Sequence, residues 1–323
     1  MTNAELKDII NRIVLAQGNS FIKELLRDNS ITIGTNKREF AENLCQAVDK
    51  GDLTEEMIEV WLSEVEGWGN QHLYTFEKPD ITGDEAQTLL RASDKADMIG
   101  RAPSYEFPEE YLLSGIELND ESLMLLWQIG KQSWPRARSH DFRDERGGDI
   151  FKFEAYRLHQ ERSAIRFIWK FDSDYCAILI HRNRDIDHSD AQAVVWELLK
   201  DLGLSDHPRP RLLLTEAVKS ASRQDGAKQT RMEVDGGYIE LKSTLAEGGI
   251  NQVEAVRHAR HAVNDAAFTR AQGLFSVDRG EDGDSPTTVE VAGEEGRIRI
   301  WAQCKRDFVE FVVDRFVDLN RVN

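Results

Sequence analysis

The sequence predicts an α+β protein, in which a small all-helical N-terminal domain precedes a mixed, mainly antiparallel sheet domain with packed helices. Apolar residues recur at helical spacing through the first 66 residues. After residue 110, short alternating or β-branched segments interleave with helical ones, and the stretch between holds three prolines among many charges. We therefore place a helical domain at residues 1–78, a linker with one or two short helices at 79–110, and an α+β domain at 111–323.

Four helices are predicted in the N-terminal domain. The first lies in AELKDIINRIV, and Ser20 can cap the second. The third runs from Lys37 to Val48, and Thr54 can cap the fourth. Residues 52–66 hold six acids and no base, so the outer face of the fourth helix is strongly negative.

In the C-terminal domain, alternation predicts a half-buried strand at 165–171, and the apolar run 175–180 predicts a buried strand. Residues 231–243 are typical of a β-hairpin around Asp-Gly-Gly. Helices are predicted at 189–202, 251–270 and 307–319, and GLFSV, TVEV and RIRIW are predicted strands.

The composition limits the classes of function. No apolar run approaches the roughly 20 residues of a membrane-spanning helix, and MTNAELKDII does not resemble a secretory signal. Three distant cysteines argue against a disulfide framework or a paired-cysteine metal site. We expect a protein of the cytoplasm, nucleoid or nucleus, not secreted and without a membrane partner. Because the net charge is −17, nucleic-acid binding requires bases gathered on one face.

The segment IKELLRDNSITIGTNKREFAENL (22–44) reads as a helix, a short extended crossing and a second helix. It resembles a SAP-type domain, a small helix–extended loop–helix fold of chromatin and DNA-repair proteins. The resemblance implies that Ile31 and Ile33 pack between the helices, and Gly34 is expected at positive φ. Asn36 or Thr35 is expected to cap the helix that starts at Lys37.

The resemblance also implies where DNA would bind. The family's contact comes from the polar edge of the crossing and the start of the second helix, which corresponds here to Thr35, Asn36, Lys37 and Arg38. Four bases in the segment are offset by four acids. Binding to DNA is therefore expected to be weak and salt-dependent, and the alternative is a helical domain that recruits a protein partner.

A second candidate surface is KQSWPRARSHDFRDER, residues 131–146. It carries five bases beside Trp134 and Phe142, a combination that can stack on bases and neutralise phosphate. The bases selected as contacts are Lys131, Arg136, Arg138 and Arg143. Three acids in the same stretch leave a second interpretation open, that of a solvated loop that pairs its own charges.

The motif YIELKS supports an alternative, enzymatic hypothesis. Glu240 and Lys242 share one face of a strand, as in the second half of the PD-(D/E)xK nuclease signature, where the carboxylate holds Mg²⁺. The preceding aspartate of that signature is missing at a natural spacing. The ordinary interpretation is the polar face of a half-buried strand.

Two weaker metal signals are His258 with His261, spaced three apart on a predicted helix, and an aspartate-rich loop at 278–286. Neither has a complete ligand set, so no resident metal or cofactor is expected unless the Mg²⁺ nuclease hypothesis holds. The succession of helical head, linker and β-rich body resembles the centromere protein N family, in which head and body act together on nucleic acid or a nucleoprotein. The leading hypothesis is therefore a non-enzymatic, nucleic-acid-associated binding or adaptor protein. The third alternative is a protein-binding subunit of a larger complex, docked through the acidic face of 52–66.

Overall fold

A computed structural model describes residues 1–101, 103, 105–181, 186–234, 236–243, 249–254, 256, 270–278 and 286–321. Within these ranges the chain forms eight α-helices and twelve strands, which confirms the α+β class. The helices are α1 (Asn3–Arg12), α2 (Asn19–Asp28), α3 (Lys37–Lys50), α4 (Glu55–Val65), α5 (Gly83–Ala92), α6 (His188–Asp201), α7 (Thr215–Ser222) and α8 (Arg306–Arg321). Among them, none has the length and apolar character needed to cross a bilayer.

Ten of the described strands form one antiparallel sheet in the order β2-β3-β6-β7-β1-β12-β11-β10-β8-β9. The strands are β1 (Gly69–Glu77), β2 (Leu112–Leu118), β3 (Ser122–Ser133), β4 (Phe142–Arg146), β5 (Asp149–Phe153), β6 (His159–Lys170), β7 (Tyr175–His181), β8 (Ala227–Val234), β9 (Gly237–Lys242), β10 (Arg270–Val277), β11 (Thr287–Ala292) and β12 (Arg297–Gln303). Strands β4 and β5 form a separate two-stranded hairpin.

Strand β1 lies at the centre of the sheet, between β7 and β12. Its residues 69–77 were assigned from the sequence to the helical domain, and that part of the assignment is wrong. The segment shows no alternation because it is buried on both faces, so the pattern that marks a half-buried strand is missing.

Helices cover the two halves of the sheet on opposite faces. We call β2, β3, β6, β7 and β1 the first half, and β12, β11, β10, β8 and β9 the second half. Helices α5 and α6 pack on one face of the first half, which we call the front face. Helices α7 and α8 pack mainly on the second half on the other side, the back face.

The range 79–110, predicted as a linker, contains α5 and one turn of 3₁₀ helix. Thr82 caps α5, and the side chains of Ala86 and Leu90 are fully buried in the front-face core. This segment is therefore part of the sheet domain's packing. Residues 257–269 of the predicted helix 251–270, with His258 and His261, and most of the loop 278–286 lie outside the described residues, whereas Ile250–Gln252 form a 3₁₀ turn and Arg270 begins β10. The other elements predicted after residue 160 are confirmed, except that the strand predicted as half-buried at 165–171 is buried on both faces over most of its length.

Helices α1–α4 enclose their own core and meet the back face of the first half through the turn that follows α4. Arg162 on β6 donates from Nη2 to both carboxylate oxygens of Glu66, each at 2.7 Å. Arg166 lies on the same face of β6, four residues further along the strand. It donates to the Glu66 and Gly67 carbonyls at 2.6 and 2.9 Å, and its guanidinium carbon lies 4.2 Å from the Trp68 ring centroid. These contacts join the helical domain to the sheet.

Arg166 is fully buried, and this burial lowers its pKa to about 10 although Glu66 opposes the shift. Because that pKa is well above neutral, the guanidinium stays charged at pH 7. The buried charge also acts on His181, the last residue of β7. Burial, and secondly Arg166, lowers the pKa of His181 from 6.5 to about 4.

We predict that Glu66→Gln lowers the free energy of unfolding by about 3 kcal/mol, because Arg162, whose side chain is only 5% exposed, then loses the carboxylate that accepts its two 2.7 Å hydrogen bonds. Denaturant titration measures the loss. Glu42→Gln is the matched control, because its partner Arg38 is 86% exposed, and a much smaller loss is expected there. Equal losses for the two variants would contradict the role given to the Arg162–Glu66 pair.

The lowered pKa of His181 predicts that the folded state loses stability in acid. His181 takes up a proton near pH 6.5 in the unfolded chain but only near pH 4 in the folded chain. Its contribution to the free energy of unfolding is therefore fully present above pH 6.5 and declines as the pH falls from 6.5 to about 4. Between pH 7 and pH 5 the wild type should lose about 2 kcal/mol more than His181→Asn in parallel denaturant titrations. Identical pH dependence in the two proteins would show that His181 titrates normally when folded.

Candidate nucleic-acid interface

The helix–extended–helix segment folds locally as the sequence predicts. Helices α2 and α3 are joined by residues outside any helix or strand. Asn36 caps α3, with its Oδ1 accepting from the N–H groups of Arg38 at 3.0 Å and Glu39 at 3.1 Å. The predicted cap at Asn36 is confirmed.

Two expectations for the crossing are wrong. Ile33 is 43% exposed, so of the two isoleucines only the half-buried Ile31 packs against the helical core. The residue with positive φ is Ser30, not Gly34. Glycine is needed at position 34 for a different reason, since a Cβ there would lie 2.4 Å from the Cβ of Glu39.

The start of α3 brings the four predicted DNA contacts together, but their polar groups bind within the chain. Glu39 accepts from the Thr35 N–H at 2.7 Å, and this bond lowers the pKa of the carboxyl group. Lys37 Nζ donates to the Leu15 carbonyl at 2.7 Å, and Arg38 pairs with Glu42. A phosphate would have to compete with the Glu39 carboxylate for this helix terminus.

Most of the basic stretch 131–146 lies in a projection that we call the arm, residues 134–158, which contains the β4–β5 hairpin. Seven of the sixteen exposed large apolar side chains among the described residues belong to it. They are Trp134, Phe142, Ile150, Phe151, Phe153, Tyr156 and Leu158. Exposed apolar side chains this concentrated are typical of an interaction surface.

The predicted basic contacts of the stretch are dispersed. Arg136 forms ion pairs with Asp141 and Glu154 at the base of the arm. Lys131 lies in β3, and Arg138 lies in a 3₁₀ turn. Arg143 is exposed on β4 directly opposite Lys152. The arm carries six bases and five acids, so it is close to neutral.

Glu240 and Lys242 do share one face of β9, as predicted, because Ile239 and Leu241 pack against the back-face core. Glu240 accepts from the Gln229 amide at 2.9 Å. Within the described part of the chain, no group of three His, Cys, Asp or Glu side chains could hold a metal ion. The nuclease hypothesis gains no support from these residues.

The front face of the second half is the surface that sequence patterns did not indicate. We call it the open face, because no described helix packs on it. Alternation places Ile298 and Ile300 in the back-face core and Arg297, Arg299 and Trp301 on the open face. The other strands contribute polar side chains between them. These are Gln229, Arg231, Glu233, Tyr238, Glu240, Lys242, Arg270, Gln272, Ser276, Thr288 and Glu290, together with Leu274.

Arginine and aromatic side chains are stacked at two places on the open face. The Arg299 guanidinium carbon lies 3.6 Å from the Trp301 ring centroid on β12. The Arg231 carbon lies 4.2 Å from the ring centroid of Tyr238, which is on the neighbouring strand β9. Trp301 is 43% exposed and Tyr238 58% exposed, so each pair presents an aromatic surface to solvent. We call them the Trp301 platform and the Tyr238 platform.

The open face is less acidic than the protein as a whole. Its described strands place five bases and three acids on it, against a net charge of −17 for the chain. Glu290 lies 3.6 Å from both Arg297 and Arg299 and is shared between them. Arg297 also pairs with Glu295 at 2.8 Å, and Arg270 pairs with Glu294 at 2.6 Å, so carboxylates of the turn between β11 and β12 match these guanidinium groups.

Helix α6 bounds the open face on one side. His188, its first residue, forms a 2.7 Å hydrogen bond through Nδ1 with the Tyr74 hydroxyl on β1. Burial, and secondly Arg297, lowers the pKa of His188, so the ring is neutral at pH 7. Arg211 extends over the Tyr74 ring, with 4.9 Å between its guanidinium carbon and the ring centroid.

The strand RIRIW contained the one sequence signal that could have indicated this surface. Its alternation assigns two arginines and a tryptophan to one face, whereas a solvated face ordinarily carries small or charged residues. Which strands lie beside it is not encoded locally. The chain matches no protein-family model and no curated protein sequence.

We predict that the β4–β5 hairpin of the arm is dispensable for folding. Replacing residues 142–153 by Asn-Gly joins Asp141 to Glu154 through a two-residue hairpin turn, and Phe142 and Phe153 are cross-strand partners at the point of excision. Because both faces of β4 and β5 are largely exposed, we expect the melting temperature to change by less than about 3 °C. A larger fall in calorimetry would mean that the hairpin supports the core.

Proposed function

We propose that this protein is a nucleic-acid-binding protein and that the open face is its principal contact surface. The observation that carries the proposal is the pair of stacked Arg–aromatic platforms on a sheet face without a described covering element. Aromatic rings stack on nucleobases, and arginine both stacks and neutralises phosphate. A strand face that needs only to be soluble does not require a tryptophan.

The bases of the open face supply phosphate contacts when a phosphate displaces their carboxylate partners. Arg270 and Lys242 are exposed, and Arg297 and Arg299 lie beside β1, on which the start of α6 rests. If three to five phosphates are neutralised, the logarithm of the binding constant should fall with the logarithm of salt concentration with a slope of about −2 to −4. Binding of this kind is compatible with an acidic protein because Debye screening confines the field of distant acids.

The contacts inferred from the SAP resemblance and from the basic stretch remain secondary proposals. Thr35, Asn36, Lys37 and Arg38 would meet nucleic acid only if the Glu39 carboxylate moved away. The exposed Arg138 and Arg143 could add phosphate contacts from the arm. In the basic stretch, Arg136 lies 5.2 Å from the centroid of the exposed Tyr156 ring, a longer separation than the 3.6 and 4.2 Å of the two platforms.

An adaptor role is a second candidate, favoured by the arm. Four of its seven exposed apolar side chains lie on a two-stranded hairpin, which is marginally stable alone in water and would gain from being covered by protein. The variant in which Asn-Gly replaces residues 142–153 distinguishes the two functions. It should still bind nucleic acid, but it should no longer bind a protein partner that docks on the arm.

We predict that the wild type binds a fluorescent oligonucleotide at low salt and that Trp301→Ala with Tyr238→Ala weakens binding at least tenfold, since each stacked base contributes about 1–3 kcal/mol. Anisotropy titration at several salt concentrations measures both the affinity and the slope. Both side chains are exposed, so the melting temperature should stay constant.

The matched control is Trp134→Ala with Tyr156→Ala in the arm. These rings are 60% and 54% exposed, and Arg136 lies 5.2 Å from the Tyr156 centroid, so the control removes the same chemistry elsewhere. It should leave binding unchanged. No binding of any oligonucleotide at low salt, or equal loss in the control, would refute the proposal.

A further inference from the structure

We infer that the ligand of the open face is a single strand of nucleic acid long enough to engage both platforms at once. This inference rests on the proposed function and specifies its ligand. It follows from the width of the face, from the position of α6 and from the separation of the two platforms.

The face is too wide to enter a duplex groove. From β12 to β9 there are four strand spacings, about 19 Å at 4.7–4.9 Å each. The major groove of B-DNA, about 12 Å wide, admits only a helix or a two-stranded ribbon. The rings of Trp301 and Tyr238 therefore cannot reach paired bases, whereas unpaired bases can lie flat on them.

The sheet register sets the distance between the platforms. Trp301 lies beside Thr288 and Ser276, in the row nearest one end of the strands. Tyr238 lies beside Glu233 and Arg270, three same-face rows away. Three rows of two residues span about 20 Å, which with the lateral 19 Å puts the rings about 28 Å apart across the diagonal.

The surface between the platforms suits a flexible strand. Gln272 and Leu274 of β10 lie on the diagonal, with Gln229 beside them on β8. These side chains can hydrogen-bond to base edges or pack against the faces of bases, and none of them is charged. The arginines Arg299 and Arg231 lie at the ends, so phosphate contacts are concentrated at the two platforms.

Helix α6 restricts the path to this side of β1. The ring of His188 lies 4.7 Å from that of His72 and bonds Tyr74, so the helix start rests directly on β1. A strand of nucleic acid that passes from Arg299 toward β1 would meet the start of this helix. The path across β11, β10 and β8 toward the Tyr238 platform has no described helix on it.

Two linked contacts produce a length dependence. An oligonucleotide of about three nucleotides reaches one platform, whereas one of about eight bridges both, and the second contact then forms at a high effective concentration. We expect a rise of about a hundredfold in affinity between these lengths, well beyond the increase from added phosphates alone.

Anisotropy competition with a series of single strands from about three to twelve nucleotides, and with a duplex of the longest, tests the inference. The wild type should show the rise and prefer the single strand at least tenfold. Tyr238→Ala should abolish the rise while retaining the affinity for the shortest strand, and Tyr156→Ala should keep both.

Each outcome decides a separate point. Equal affinity for duplex and single strand, or a smooth increase with length that Tyr238→Ala leaves intact, would overturn the inference while the proposed function stands. Absence of binding to any of these ligands would overturn the proposed function and the inference with it.

Discussion

Strand β1 is buried on both of its faces, and the rest of the structure depends on that burial. On the front, Tyr74 and Phe76 contact the first residue and the body of α6, with Phe76 and Trp196 centroids 5.1 Å apart. On the back, Leu73 belongs to the core that includes α7 and α8. A strand with one polar face could not join two half-sheets whose helices lie on opposite sides.

This arrangement decides which surfaces remain for binding. Helices α5 and α6 occupy the front of the first half, α7 and α8 the back of the second half, and the turn after α4 reaches the back of β6 through Arg162 and Arg166. None of the described helices packs on the front of the second half. Solvation of such a face requires polar residues, and this chain meets that need with arginines stacked on aromatic rings.

The three surfaces differ in chemistry. Helix α4 carries Glu55, Glu56 and Glu59, the arm is nearly neutral and exposes apolar side chains, and the open face combines arginines with aromatic rings. A nucleic acid would be repelled from α4, so the charge of this helix favours binding elsewhere on the protein.

The elements that the sequence predicted well are those whose signal is local. The Asn36 cap, the hairpin of β8 and β9 and the alternation in RIRIW each follow from a few neighbouring residues.

Strand β1 was missed because burial on two faces removes alternation, and Ile33 was misassigned because its exposure depends on tertiary packing. The open face could not be predicted, since Trp301 and Tyr238 share it only through strand order. The basic stretch was identified by composition, but Arg136 proved to pair with Asp141 and Glu154, a three-dimensional property.

Ultraviolet crosslinking of a single-stranded oligonucleotide to the full-length protein, followed by mass spectrometry of the peptides, tests the central claim most directly. The account predicts crosslinks at Trp301 on β12 and Tyr238 on β9 within the same complexes. Crosslinks confined to the arm aromatics, such as Trp134 and Phe142, or to the start of α3 would contradict it.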